Sequence, residues 1–186
     1  PEKETSSPQQ QEVLDQLLAF DSSHLSEQAQ YILAAAIQQF ATKGYRATSV
    51  RDIVELAGVT NPMLYYYFDD KEGVFHAAVE LIFKNQVESV SAILDSDARF
   101  KVKIRRVIAD FLTRSKQKPV AAKFIYSIVL SPSQSWPTID LEQIHASPEN
   151  RIASLFDEAH SAGILEPRPD VDGEFFSDRL FGIVSS

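Results

Sequence analysis

The chain has 186 residues, 44% hydrophobic and 24% charged, with 26 acidic against 18 basic side chains for a formal net charge of −8. That is long enough for one large domain or two small ones with a substantial core, and the balance is globular rather than disordered. The sequence has no cysteine, its four histidines (His24, His76, His145, His160) lack the i,i+4 spacing of a metal pair, and no apolar run reaches the ~18 residues of a membrane span; disulfides and thiolate metal sites are thereby excluded, and metal catalysis and a membrane helix have no signal in the sequence.

The opening PEKETSSPQQQ is polar and proline-bearing and reads as a flexible tail over residues 1–25, with a possible short helix at Glu12–Phe20. No signal-peptide pattern opens it, so the expected compartment is the cytoplasm. From Ser26 the pattern turns helical. Leu33, Ala36, Ile37 and Phe40 fall on one face, Ser26 caps the start, and Gly44 supplies a left-handed residue at the end. Val50, Ile53, Val54 and Ala57 repeat the spacing over two turns, with Ser49 as cap and Gly58 behind. A second cap, Thr60, precedes Asn61 and Pro62, and proline is tolerated in a first helical turn because its missing N–H would be unpaired there. Leu64 and Phe68 then share a face. Two short helices joined by a turn of about three or four residues containing Gly58 make a helix-turn-helix.

A further helix is predicted to begin at Lys71 behind Asp69-Asp70 and to run to about Leu94, with Val74, Phe75, Ala78, Val79, Ile82 and Phe83 as its apolar stripe. Ile104, Val107, Ile108, Phe111 and Leu112 mark the apolar face of the next. Pro119 opens another, through Phe124, Ile125, Ile128 and Val129, before the interruption SPSQSWP. A helix starting at Ser147-Pro148-Glu149 runs through Ile152, Leu155, Phe156 and Ala159 to Gly163. PRPDVD is a loop, and Gly173–Ser186 reads as a last helix. No internal repeat and no long strand pattern interrupts this order, so the expected fold class is all-α.

The run YILAAAIQQFATKGYRATSVRDIVELAGVTNPMLYYYFDDKEGVF, 45 residues long, resembles the N-terminal DNA-binding domain of the tetracycline-repressor (TetR-like) family of bacterial transcriptional regulators. The landmarks that carry the resemblance are Phe40, Gly44-Tyr45, Thr48, Ile53, Ala57-Gly58-Val59, Leu64-Tyr65, Phe68 and Lys71, in register and without insertion. It implies a three-helix DNA-binding domain over 26–75 and a helical effector-binding and dimerisation domain over 76–186. It also implies a ligand-responsive repressor that binds a palindromic operator as a homodimer and is released by a small effector. By the same resemblance Tyr65 and Tyr67 match backbone-contacting positions, Tyr66 touches bases and Lys71 pairs with a phosphate. Arg51 reaches a base or phosphate, and Thr48 places a hydroxyl near the backbone.

The physics of the second short helix points the same way. In a helix-turn-helix that helix enters the major groove with its N-terminal residues at base edges and its positive dipole end near phosphates. Asn61 can read adenine through its amide, while Pro62 and Met63 can pack on a thymine methyl. At about 100° per residue, Leu64 and Phe68 turn inward and Tyr65, Tyr66 and Tyr67 fan across the remaining surface. Each offers a ring and an uncharged hydroxyl donor suited to phosphate. Tyr65 can equally brace this helix against the first, and Met63 can equally fill a gap.

Charge is unevenly placed: residues 26–75 carry four basic and six acidic side chains, whereas 99–123 sum to +8. Operator binding is therefore expected to rest on dimer symmetry and base complementarity more than on bulk attraction. The basic stretch either faces water or docks an anionic partner or the acidic C-terminal half. Phe83, Phe111, Phe124, Tyr126, Trp136, Phe156 and His160 are candidate linings for a largely apolar effector cavity, and each is also an ordinary core residue by type. The resemblance implies pairing through the last two helices, of which this sequence offers Gly173–Ser186, so the dimer contacts stay open. A helical small-molecule-binding or interaction module with weak or lost DNA binding is the alternative. No nucleophile–base pair, phosphate-binding glycine loop or metal spacing is present, so neither catalytic residues nor a cofactor are expected.

Overall fold

The computed structural model describes residues 15, 22–129, 135–139 and 148–165. Among them it is all-helical: α1 (Glu27–Lys43), α2 (Val50–Ala57), α3 (Asn61–Phe68), α4 (Lys71–Leu94), α5 (Phe100–Gln117), α6 (Pro119–Val129) and α7 (Pro148–Ser161). The helices expected over 12–20 and 173–186 and the loop PRPDVD lie outside the described residues.

The chain divides into two compact units, Pro1–Ile82 with Arg114–Ile139, and Phe83–Thr113 with Asp140–Ser186. In the first, α1 is the central post, apolar enough to bury Ile32, Leu33, Ala36, Ile37 and Phe40 at 3% exposure or less, and it packs against α2, α3 and α6. Ser26 Oγ accepts from Ala29 N at 3.3 Å at its start. Its end departs from the expectation. Gly44 has φ 80° and ψ 163°, which is not the left-handed helical region but a corner of backbone space that side chains essentially exclude. The chain leaves α1 extended rather than curled.

Aromatic rings complete this unit. Phe40 lies 5.8 Å from Phe75 of α4 and 6.0 Å from Phe124 of α6, and all three are fully buried, each stabilising the core by roughly 1.5–3 kcal/mol. Trp136 stacks on Phe75 at 5.6 Å and donates its indole N–H to Ser127 O at 3.1 Å. Through these contacts α6 joins the unit of α1–α3, although the sequence grouped it with the second half. A boundary near residue 75 would cut this aromatic packing.

The second unit has its own core of Val90, Leu94, Val107, Ile152 and Phe156, with Phe100 edge-on to Phe156 at 5.2 Å. Lys103 Nζ donates to Leu94 O at 2.6 Å, satisfying a carbonyl left over at the end of α4. Of the apolar face expected for α5, only part is interior: Val107 is buried and Ile104 and Phe111 half-buried, whereas Ile108 and Leu112 are exposed. Val107 centres the inward stripe with its i−3 and i+4 neighbours, and Ile108 sits 100° further round. Lys101, Arg105, Arg106 and Lys116 share that outer side.

Candidate nucleic-acid interface

Helix α2 is anchored at both ends. Ser49 Oγ accepts from Asp52 N at 3.1 Å while Asp52 Oδ2 accepts from Ser49 N at 2.8 Å and also from the Ser49 hydroxyl, a complete capping box. Lys43 at the end of α1 reaches over to Asp52 Oδ1 at 2.6 Å. The Lys43 bond first, then those from Ser49, hold the Asp52 carboxyl well below the usual carboxylate range. Ile53 and Val54 seat the helix on the core, and Gly58 ends it in the left-handed conformation, with φ 68° and ψ 30°.

Helix α3 follows after the three residues Gly58, Val59 and Thr60 and is anchored by Leu64, which is fully buried. Phe68, expected inside, is half-buried at the helix end. Asn61, Pro62, Tyr65 and Tyr66 form the outer face; Met63 and Tyr67 flank it, half-buried. Tyr66 is 80% exposed and its ring meets Tyr67 edge-on at 5.0 Å, while Tyr65 is 49% exposed. Thr60 takes the N-cap position but its side chain makes no cap bond. Met63 N and Leu64 N both go to Thr60 O, at 3.0 and 3.3 Å, and Pro62 has no N–H to satisfy. The outer end of α3 is thus uncapped and carries no charged side chain.

The junction to α4 is tight. Asp69 has φ 61° and ψ −50°, the only positive φ outside glycine among the described residues, and Asp70 N bonds Phe68 O at 2.6 Å. That i→i+2 bond closes a γ-turn of the strained hand. Asp70 Oδ1 then accepts from Gly73 N at 2.8 Å. A Cβ on Gly73 would lie 2.0 Å from Phe68 O, so the two backbones approach as only glycine permits.

The remaining expected contacts divide. Arg51 is exposed and donates from Nε to Glu55 Oε1 at 2.6 Å, a bond that raises the guanidinium pKa further. Thr48 is buried, and its hydroxyl donates to Gly44 O at 2.8 Å; its side chain shapes the turn rather than facing outward. Lys71 is half-buried and bonds the backbone of that turn. Tyr45, whose ring lies between Phe40 and Phe75 at 5.5 and 5.3 Å, and Gly73 are positioning residues that the sequence offered only as a landmark and as an unremarked glycine.

The candidate effector residues separate between the units: Phe124, Tyr126 and Trp136 in the first, Phe83, Phe111, Phe156 and His160 in the second. Phe124 and Phe156 are packed core residues of their own units, and Tyr126 is exposed. Among the described residues no group of three or more His, Asp or Glu could hold a metal, and no helix is long and apolar enough to cross a membrane.

Residues 32–78 match the family model for bacterial regulatory proteins of the tetR family. The chain is 27% identical over 146 residues to the HTH-type transcriptional repressor ComR of Escherichia coli (strain K12), covering 75% of this chain and 68% of that protein. It is 37% identical over 84 residues to the HTH-type transcriptional repressor KstR2 of Rhodococcus jostii (strain RHA1), covering 43% of this chain and 41% of that protein. A putative tetR family transcription regulator from Shewanella sp. PV-4 shares the fold with a TM-score of 0.70 at 23% identity, over 84% of this chain and 81% of that one. The family model falls on α1–α3 and the start of α4, the segment whose outer face was described above. The match to bacterial regulatory proteins of the tetR family thus falls on residues 32–78, the helix-turn-helix and the start of α4.

Proposed function

We propose that the chain is a cytoplasmic repressor that binds a palindromic operator as a homodimer through α3 and releases it when a small, largely apolar effector occupies the helices after residue 76. The observation that carries this reading is the outer face of α3: Asn61, Pro62, Tyr65 and Tyr66 stand exposed on a helix held by buried Leu64. A helix end with an amide, two exposed phenols and no charge is suited to close approach in a groove, where hydroxyls meet phosphates and the amide meets a base edge. Asn61, Pro62, Met63 and Tyr66 would read bases; Tyr65 and Tyr67 would hold backbone phosphates, with Arg51 at the rim. An effector that prefers the conformation with badly spaced reading helices must weaken operator binding reciprocally.

Selection from random duplex DNA tests the proposal. The expected product is a short palindrome with half-sites about one helical turn apart, or at a related spacing; no enrichment at low salt would sink it. That outcome would favour a helical binding module with lost DNA affinity. One observation leans toward this second reading, because Lys43 is tied to Asp52, Arg51 to Glu55 and Lys71 to main-chain carbonyls.

A further inference from the structure

We propose that Lys71 acts as the clasp that fixes the attitude of the reading head, a positioning residue rather than a phosphate contact. Its ammonium has three donors. One goes to Tyr45 O at 3.0 Å, another to Thr48 O at 2.9 Å, and the nitrogen rests 4.0 Å from the centroid of the Tyr45 ring. These partners lie 26 and 23 residues back along the chain, so the bonds close a ring that contains all of α2 and α3.

The turn between α1 and α2 is closed partly by Thr48 and partly by Lys71, a donor from outside it. Gly44 O is met by the Thr48 hydroxyl, Tyr45 O by Thr48 N, and Thr48 O by Lys71. Unpaired carbonyls in a partly buried turn are costly, and a charged donor bonds them more strongly than a neutral one. Lys71 is also the first residue of α4, just behind the Asp69 γ-turn and two positions before the close approach at Gly73. It therefore joins the turn that enters α2 to the exit of α3. Burial lowers the Lys71 pKa, in keeping with an ammonium drawn away from water.

The DNA arms of the test rest on the operator reading above; an exchange arm does not. Hydrogen–deuterium exchange is followed in the full chain for residues 44–57, comparing wild type with Lys71→Met, which keeps the stem and loses the donors. Exchange in that segment is expected to accelerate about tenfold, the equivalent of one charge-assisted bond. Affinity for the selected operator should fall about tenfold, with affinity for random duplex and the salt dependence both unchanged. Lys71→Arg should resemble Met, because a planar fork does not place donors on two converging carbonyls as a point ammonium does; it also serves if Lys71→Met does not fold.

Unchanged exchange in the variants would overturn the clasp. So would equal losses for operator and random duplex with a salt slope reduced by about one and full rescue by arginine, the pattern of a phosphate contact. If wild type selects no duplex, the operator reading fails, and the exchange result still decides the clasp.

Discussion

Helices α2 and α3 have eight residues each and stand three residues apart, yet they are finished in opposite ways. α2 closes its polar groups on itself: a capping box at its start, an ion pair to Lys43, a left-handed glycine at its end. α3 leaves its start without a side-chain cap, carries no charge and shows two phenols and an amide on its outer side. The difference separates placement from contact. A helix whose bonds are met internally has little left for a ligand and serves as a bracket. A helix held by one buried leucine and by its junction to α4 keeps the polar side chains of its outer face for something outside.

The comparison breaks most severely at that junction. Gly73→Ala forces a Cβ against Phe68 O, where neither backbone can yield without shifting α3. A loss of about 2–3 kcal/mol in urea unfolding is expected, as for other overpacked sites. Next, Ser49→Ala removes the hydroxyl of the α2 box and should cost about 1 kcal/mol.

Acid should act on the same helix. The Asp52 pKa is lowered in the folded state, so its contribution is complete above the ordinary carboxylate range and disappears as pH falls through the folded value. Asp52→Asn should flatten the acid limb of stability measured from pH 5 downward. Tyr66→Phe should leave stability within about 0.5 kcal/mol, since that side chain faces out, while operator affinity falls about fivefold for one lost hydroxyl bond. Least of all, Thr60→Ala should change stability by no more than a few tenths of a kcal/mol despite its N-cap position, because its side chain makes no cap bond. A cost near that of Ser49→Ala would erase the distinction between the two helices.

Most of the fold was legible in the sequence because helix starts and stops are local chemistry. Ser26, Ser49, Gly58, Pro119 and Gly163 each mark a boundary of a helix or the turn just beyond it. The outer face of α3 followed from helical periodicity alone. What could not be read depends on contacts distant along the chain. The carbonyls that receive Lys71 lie more than twenty residues away, and Thr48 is buried by packing that its own neighbours do not announce. Phe124 belongs with Phe40 and Phe75 because three rings interlock, which no spacing within α6 reveals. Gly44 was recognised as a terminator, but its φ of 80° with ψ of 163° lies outside the left-handed helical region expected there.

The placement of Trp136 has a practical consequence for measurement. It is the single tryptophan of the chain, and it rests on Phe75 and beside Phe124 with its indole N–H on Ser127 O. Its fluorescence therefore reports on one aromatic nest and on nothing else, without any dye. Because cysteine is also absent from the sequence, one introduced thiol on the surface would carry a single acceptor, and the pair would form an optical ruler from that nest to any chosen helix.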